Sequence, residues 1–124
     1  MKSRYNISNS EREVLEMLWK YPNGIKQAEL LQLFESEGKV WKRQTLNTYL
    51  SRLEEKGLVQ REKRIVRAVY AEQEYNNLQM KEVIENMYEG KISKFVMAFM
   101  SDKQISKDDA EELNSLLEKF QKDC

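Results

Sequence analysis

Histidine is missing from this 124-residue sequence, and cysteine occurs once, as the final residue, Cys124. The first absence removes the commonest general acid–base group, every Ser–His or Cys–His pair and the commonest zinc ligand. The second leaves no internal disulfide, and one terminal thiol makes no metal site alone. Carboxylates remain, but Glu11, Glu13 and Glu16 stand at the spacings of a solvated helix face. The expectation is a chain that is not an enzyme and needs no metal or cofactor. Proline occurs once and glycine four times, which excludes collagen-like and disordered compositions and leans towards helix. The longest apolar run, Phe95-Val96-Met97-Ala98-Phe99-Met100, covers six residues, far short of the roughly 20 that span a bilayer. Met1-Lys2-Ser3-Arg4-Tyr5 has no signal-peptide pattern. A cytoplasmic chain without membrane insertion is expected.

Net charge is zero, but it is unevenly spread. From Lys39 to Arg67, nine basic residues face three acidic ones, a net +6, while the stretch from Asn76 onward holds seven Lys and ten Asp or Glu, a net −3. A basic middle with an acidic tail points to a polyanionic partner for the middle only.

Ser8–Glu11 and Ser10–Glu13 each fit a capping box, and Val14, Leu15, Leu18 and Trp19 mark an amphipathic helix over about residues 9–20. Tyr21-Pro22-Asn23-Gly24 breaks it, and Ile25 is placed to add a very short strand. A second helix is predicted over about 26–37, carrying Leu30, Leu31, Leu33 and Phe34 and stopping at Gly38. A third runs from about Lys42 to Lys56, with Gly57 and Leu58 in the pattern of a Schellman end. Two β-prone stretches, 58–62 and 65–70, flank the charged tip Glu62-Lys63-Arg64. Three helices followed by a basic hairpin is the element order of a winged helix-turn-helix.

At about 100° per residue, Leu46, Leu50 and Leu53 share one side of the third helix, and Gln44, Asn47, Thr48 and Ser51 lie opposite with Glu55. Amides and small hydroxyls hydrogen-bond base edges in the major groove. They are modest helix formers, so helix stability did not choose them. We therefore expect Gln44, Thr45, Asn47, Thr48 and Ser51 to face bases. Arg43 and Arg52 would reach phosphates, and Arg61, Lys63, Arg64 and Arg67 would present cations from the hairpin. After Tyr75 the character changes. Met80, Val83, Ile84 and Met87 form one stripe over about 77–88. Ile92, Phe95, Val96, Phe99 and Met100 form a second over about 91–101. Leu113, Leu116, Leu117 and Phe120 form a third, after a cap at Ser106. These stripes suit pairing with a second copy, because one half-site gives too little affinity and two-fold proteins match two-fold operators. The fold class is thus mainly α with a small β-hairpin: a winged-helix DNA-binding domain over 1–75 and a helical dimerisation domain over 76–124.

Ile7-Ser8, Glu13-Val14 and Leu18-Trp19 resemble the opening of the penicillinase repressor family. Trp41, Thr45-Leu46-Asn47-Thr48, Leu50, Arg52-Leu53 and Lys56-Gly57 resemble its recognition helix. Val69-Tyr70 is similar to its second wing strand. Tyr88-Glu89-Gly90 with Phe95-Val96-Met97-Ala98-Phe99 is similar to its dimerisation region. The resemblance implies a homodimer on palindromic, double-stranded operator DNA, repressing genes of β-lactam resistance or copper handling. In the β-lactam branch it implies induction through a membrane sensor protease, with the repressor cut at an Asn-Phe bond. The corresponding bond here is Ala98–Phe99, with Ala in place of Asn. The copper branch ends in a cluster of metal-binding cysteines, and the single Cys124 sets this chain on the β-lactam side. Lys42-Arg43-Gln44 stands where the family has Ser-Pro-Lys, which implies a different operator. Two further readings remain: a winged-helix protein–protein adaptor, and a repressor of unrelated genes gated by a small molecule.

Overall fold

The computed structural model describes residues 4–101 and 103–121, and the terminal Cys124 lies outside them. Among the described residues the elements run α1 (Asn9–Trp19), β1 (Ile25–Lys26), α2 (Gln27–Ser36), α3 (Arg43–Glu55), β2 (Val59–Glu62), β3 (Ile65–Ala68), α4 (Glu72–Met87), α5 (Ile92–Phe99) and α6 (Lys107–Phe120). This is the expected mainly α fold with a small antiparallel sheet. The hairpin β2–β3 gains β1 as a third strand, in the order β1-β3-β2, with Ile25 opposite Val66 and Val59 opposite Ala68. No helix among the described residues is long and apolar enough to cross a membrane.

Local chemistry sets the helix ends. Ser8, rather than Ser10, caps α1: its Oγ accepts from the Glu11 N–H at 3.2 Å, and Glu11 Oε1 accepts from the Ser8 N–H at 3.1 Å. Lys26 is a strand residue, so α2 starts one position later than expected. Its end at Gly38 and that of α3 at Gly57 are both Schellman turns. In the second, the Leu58 N–H donates to Leu53 O at 2.9 Å and the Gly57 N–H to Glu54 O at 3.0 Å, with Gly57 at φ +76°. The expected helix over 77–88 begins earlier, at Glu72. Its first turn, Glu72-Gln73-Glu74, has no apolar period to betray it, and the Glu74 carboxylate closes it by accepting from the Ala71 N–H at 3.0 Å. The helix expected over 91–101 is shorter, Ile92–Phe99.

The core joins Val14, Leu15 and Leu18 of α1, Leu30 and Phe34 of α2, Leu46, Leu50 and Leu53 of α3, and Leu58, Val66 and Tyr75, all buried. Tyr75 ties α4 to this core. Its hydroxyl donates to Tyr5 O, its ring packs 5.8 Å from that of Trp19, and burial pushes its pKa up while the Arg12 guanidinium opposes. α3 packs on α1 and β2.

The tip of the hairpin is a two-residue turn, with Lys63 at φ +51° and Arg64 at φ +69°. Hairpins of this length need positive φ at both positions and favour Asn-Gly. Side chains bearing a Cβ cost about 1–2 kcal/mol each in that region. The double variant Lys63→Asn, Arg64→Gly should therefore raise unfolding stability by about 1–2 kcal/mol. The change should read as a higher urea midpoint at an unchanged slope.

Candidate nucleic-acid interface

The N-terminus of α3 is fixed by a stack of rings. Trp41 lies 4.7 Å from Phe34 and 5.2 Å from Tyr49, centroid to centroid. Lys39 covers the Trp41 ring and pairs with Glu13 at 2.8 Å. Lys42 stands at the N-cap without a side-chain cap, and the first turn holds no acid. The unpaired N–H groups and the positive end of the helix dipole therefore face out uncompensated, beside exposed Arg43 and Gln44.

The residues expected to face bases occupy the side of α3 turned away from the core. Gln44 is exposed, and Thr45, Asn47, Thr48 and Ser51 are half-buried. The Thr48 hydroxyl donates to Gln44 O at 3.0 Å, leaving its oxygen as an acceptor. Arg43 and Arg52 are exposed on the flanks, and Lys63 and Arg64 at the wing tip; none of the four forms an ion pair among the described residues. Arg67 is on the outer face of β3 and donates to Gln60 Oε1 across the strand pair at 2.5 Å.

Arg61 departs from expectation. It is not a free cation of the wing but turns back onto α3, because strand alternation sets residues 59 and 61 inward and 60 and 62 outward. Its guanidinium donates to Asn47 Oδ1 at 2.9 Å, to Ser51 Oγ at 3.0 Å and to Glu54 Oε1 at 2.8 Å. The parity of β2, with Val59 anchored in the core, was the signal that could have found this contact. Lys56 is also engaged, donating to Asn6 O at 3.1 Å.

The apolar stripes beyond α4 have little to pack on within one chain. Neither α5 nor α6 has a buried residue. Met87 is 69% exposed, Phe99 53% and Phe120 71%; Met80, Ile92, Val96, Leu113, Leu116 and Leu117 are exposed as well. Val83, Ile84 and Phe95 are half-buried, and the Phe95 ring lies between those of Tyr88 and Phe99 at 5.6 and 6.3 Å. Ala98 and Phe99 end α5, where Ala98 O accepts from the Ser101 hydroxyl at 3.0 Å.

A family model described as the penicillinase repressor matches residues 7–119. The methicillin resistance regulatory protein MecI of Staphylococcus aureus (strain N315) is 30% identical over 121 residues, which cover 93% of this chain and 95% of that protein. The MecI protein of Staphylococcus epidermidis matches to the same extent. The penicillinase repressor of Bacillus licheniformis is 29% identical over 122 residues, 95% of this chain and 94% of its own. With the mainly α fold, the three-stranded sheet and a match over nearly its whole length, the chain belongs to the penicillinase repressor family, a family of winged-helix transcriptional repressors.

Proposed function

We propose that this protein is a homodimeric repressor that occludes promoters by binding palindromic operators, and that its target genes serve β-lactam resistance. One observation carries the reading: the polar side of α3 faces out, touched only by the Arg61 side chain at Asn47 and Ser51, beside a wing whose tip cations form no ion pair among the described residues. Gln44, Thr45, Asn47, Thr48 and Ser51 then meet base edges in the major groove. Arg43, Arg52, Lys63, Arg64 and Arg67 meet phosphates, and the wing runs along the backbone. The names of the relatives, a penicillinase repressor and a methicillin resistance regulator, support the choice of target genes.

The exposed apolar side chains of α4 to α6 pair two copies, since so many exposed large apolar residues on three successive helices suit an interface. The division between the DNA-binding part (1–75) and the pairing part (76–124) falls inside α4, so one helix serves both. Induction follows from cutting the pairing part, at Ala98–Phe99, by a sensor protease. The bond is helical in this chain, so α5 must open before a protease takes it in extended form. Once the pairing is lost, each module binds alone, and an effective-concentration gain of ~10²-fold or more disappears.

Two measurements test the reading. In a gel-shift titration with the full chain, Asn47→Ala should lose on the order of 1–3 kcal/mol, confined to one base step per half-site; unchanged affinity would reject the assigned face. Leu117→Glu should turn the dimer into a monomer in sedimentation and lower operator affinity about 10²-fold. A monomeric parent chain would remove the pairing.

A further inference from the structure

We propose that Arg61 sets which base edge Asn47 reads, by holding the Asn47 amide so that its NH2 group is the part left for a ligand. The inference rests on the DNA-binding reading above and adds to it a residue that meets no DNA itself.

A guanidinium has five N–H donors and no acceptor, so the atom of Asn47 facing it must be the amide oxygen. The usual ambiguity between the two ends of an amide is thereby settled by chemistry. Arg61 Nη1 donates to Asn47 Oδ1 at 2.9 Å, and Asn47 Nδ2 has no partner among the described residues. The clamp is itself fixed. Arg61 Nη2 reaches Ser51 Oγ at 3.0 Å and Glu54 Oε1 at 2.8 Å, and Nε reaches the same carboxylate oxygen at 3.3 Å. Asn47, Ser51 and Glu54 stand at i, i+4 and i+7 on α3, so one planar side chain from β2 spans two turns of the helix. Glu54 also neutralises the guanidinium, and the side chain is only 23% exposed. Arg61 is therefore poorly placed to serve a phosphate.

The consequence is a choice between base edges. In the major groove guanine (O6, N7), thymine (O4) and adenine (N7) all present acceptors, and cytosine presents only an amino donor. An outward NH2 group donates to any of these acceptors and meets the cytosine amino group donor against donor. The alternative asparagine contact, bidentate to adenine, needs Oδ1 and Nδ2 side by side on the base, which requires the amide to turn out of the guanidinium's reach. Arg61 thus denies Asn47 the adenine-specific contact, leaves it a donor that every base but cytosine can accept, and works as a positioning residue.

The test is selection from a duplex library with randomised bases, using the full chain, at low salt. Asn47→Ala first locates the step, as the one position whose preference disappears. At that step the parent should disfavour cytosine by roughly tenfold and show no preference for adenine over guanine. Arg61→Met should free the amide for the bidentate contact and raise adenine over guanine and thymine by roughly tenfold, with preferences at all other steps kept. Arg61→Lys, which keeps the charge but cannot span three partners, should shift the same step towards adenine and carries the test if Arg61→Met fails to fold. An unchanged preference at that step in both variants overturns the proposal. So does a uniform loss at every sequence with the salt slope reduced by about 1, the signature of a phosphate ligand. A parent that selects no duplex at all overturns the DNA-binding reading and this inference with it, and is distinguishable from either result.

Discussion

Leu46, Leu50 and Leu53 are sealed into the core at 1% exposure or less, and this seam decides how α3 meets everything else. A helix that buries positions i, i+4 and i+7 commits the residues half a turn away to the outside. Truncating one buried leucine costs about 2–5 kcal/mol, against a total stability of about 5–15 kcal/mol for a domain. Rolling α3 to hide Gln44 or Thr48 would therefore unfold the module. The helix cannot slide either, because Trp41 is gripped between Phe34 and Tyr49 at one end and the Schellman turn at Gly57 closes the other. The polar face is thus an output of the core, held in place by residues that never touch a ligand.

Charge is distributed around that face with some economy. Of the basic residues between Lys39 and Arg67, Lys39 and Lys56 serve the protein itself, through Glu13 and Asn6, and Arg61 serves α3. Arg67 is exposed but bonded to Gln60, and Lys42, Arg43, Arg52, Lys63 and Arg64 remain exposed and free of ion pairs among the described residues. They sit at the start and flank of α3 and at the wing tip, the positions from which a duplex laid along α3 would offer phosphates. The tip is also where the backbone is least comfortable. Two lysine- and arginine-sized side chains hold left-handed conformations that Asn-Gly would take at little cost. Strain retained at such a site is consistent with selection for charge over stability.

The helical periodicity of α1, α2 and α3, the glycine stops and the hairpin were legible in the sequence because each rests on a local pattern. Ser8 and Glu11 sit three apart, leucines recur every three to four residues, and Gly57-Leu58 follows the last turn. What escaped was set by contacts remote in the chain. Ile25 read as a short strand, but its partner did not: it pairs with Val66, 41 positions away. The first turn of α4 forms because Tyr75 enters a pocket made by α1 and the N-terminal segment, which no period within 72–76 announces. Arg61 read as one more wing cation because its partners Asn47, Ser51 and Glu54 lie on another element. Strand parity from the buried Val59 would have placed it inward, but only once the strand's start was known.

The path from the pairing region to α3 is short and stiff, which bears on how a dimer would measure its operator. Glu82, on the far half of α4, accepts from the backbone N–H groups of Arg4 and Tyr5 at 2.9 and 3.2 Å. Arg4 Nε in turn donates to Lys56 O, at the C-cap of α3, at 2.8 Å. Tyr75 holds the near half of α4 to Tyr5 and Trp19. α4 is therefore braced at two points about two turns apart, and its direction is fixed relative to α3. In the proposed dimer, the separation of the two α3 helices follows from the pairing of α4 to α6 and not from a flexible linker. Half-sites one helical turn apart, about 34 Å, demand such a fixed separation. The same arrangement would suit the proposed cut in α5 to an off-switch: it lies beyond Glu82, so both braces and the whole reading module would stay folded. The cut removes only the linkage that lets one bound half-site hold the other in place.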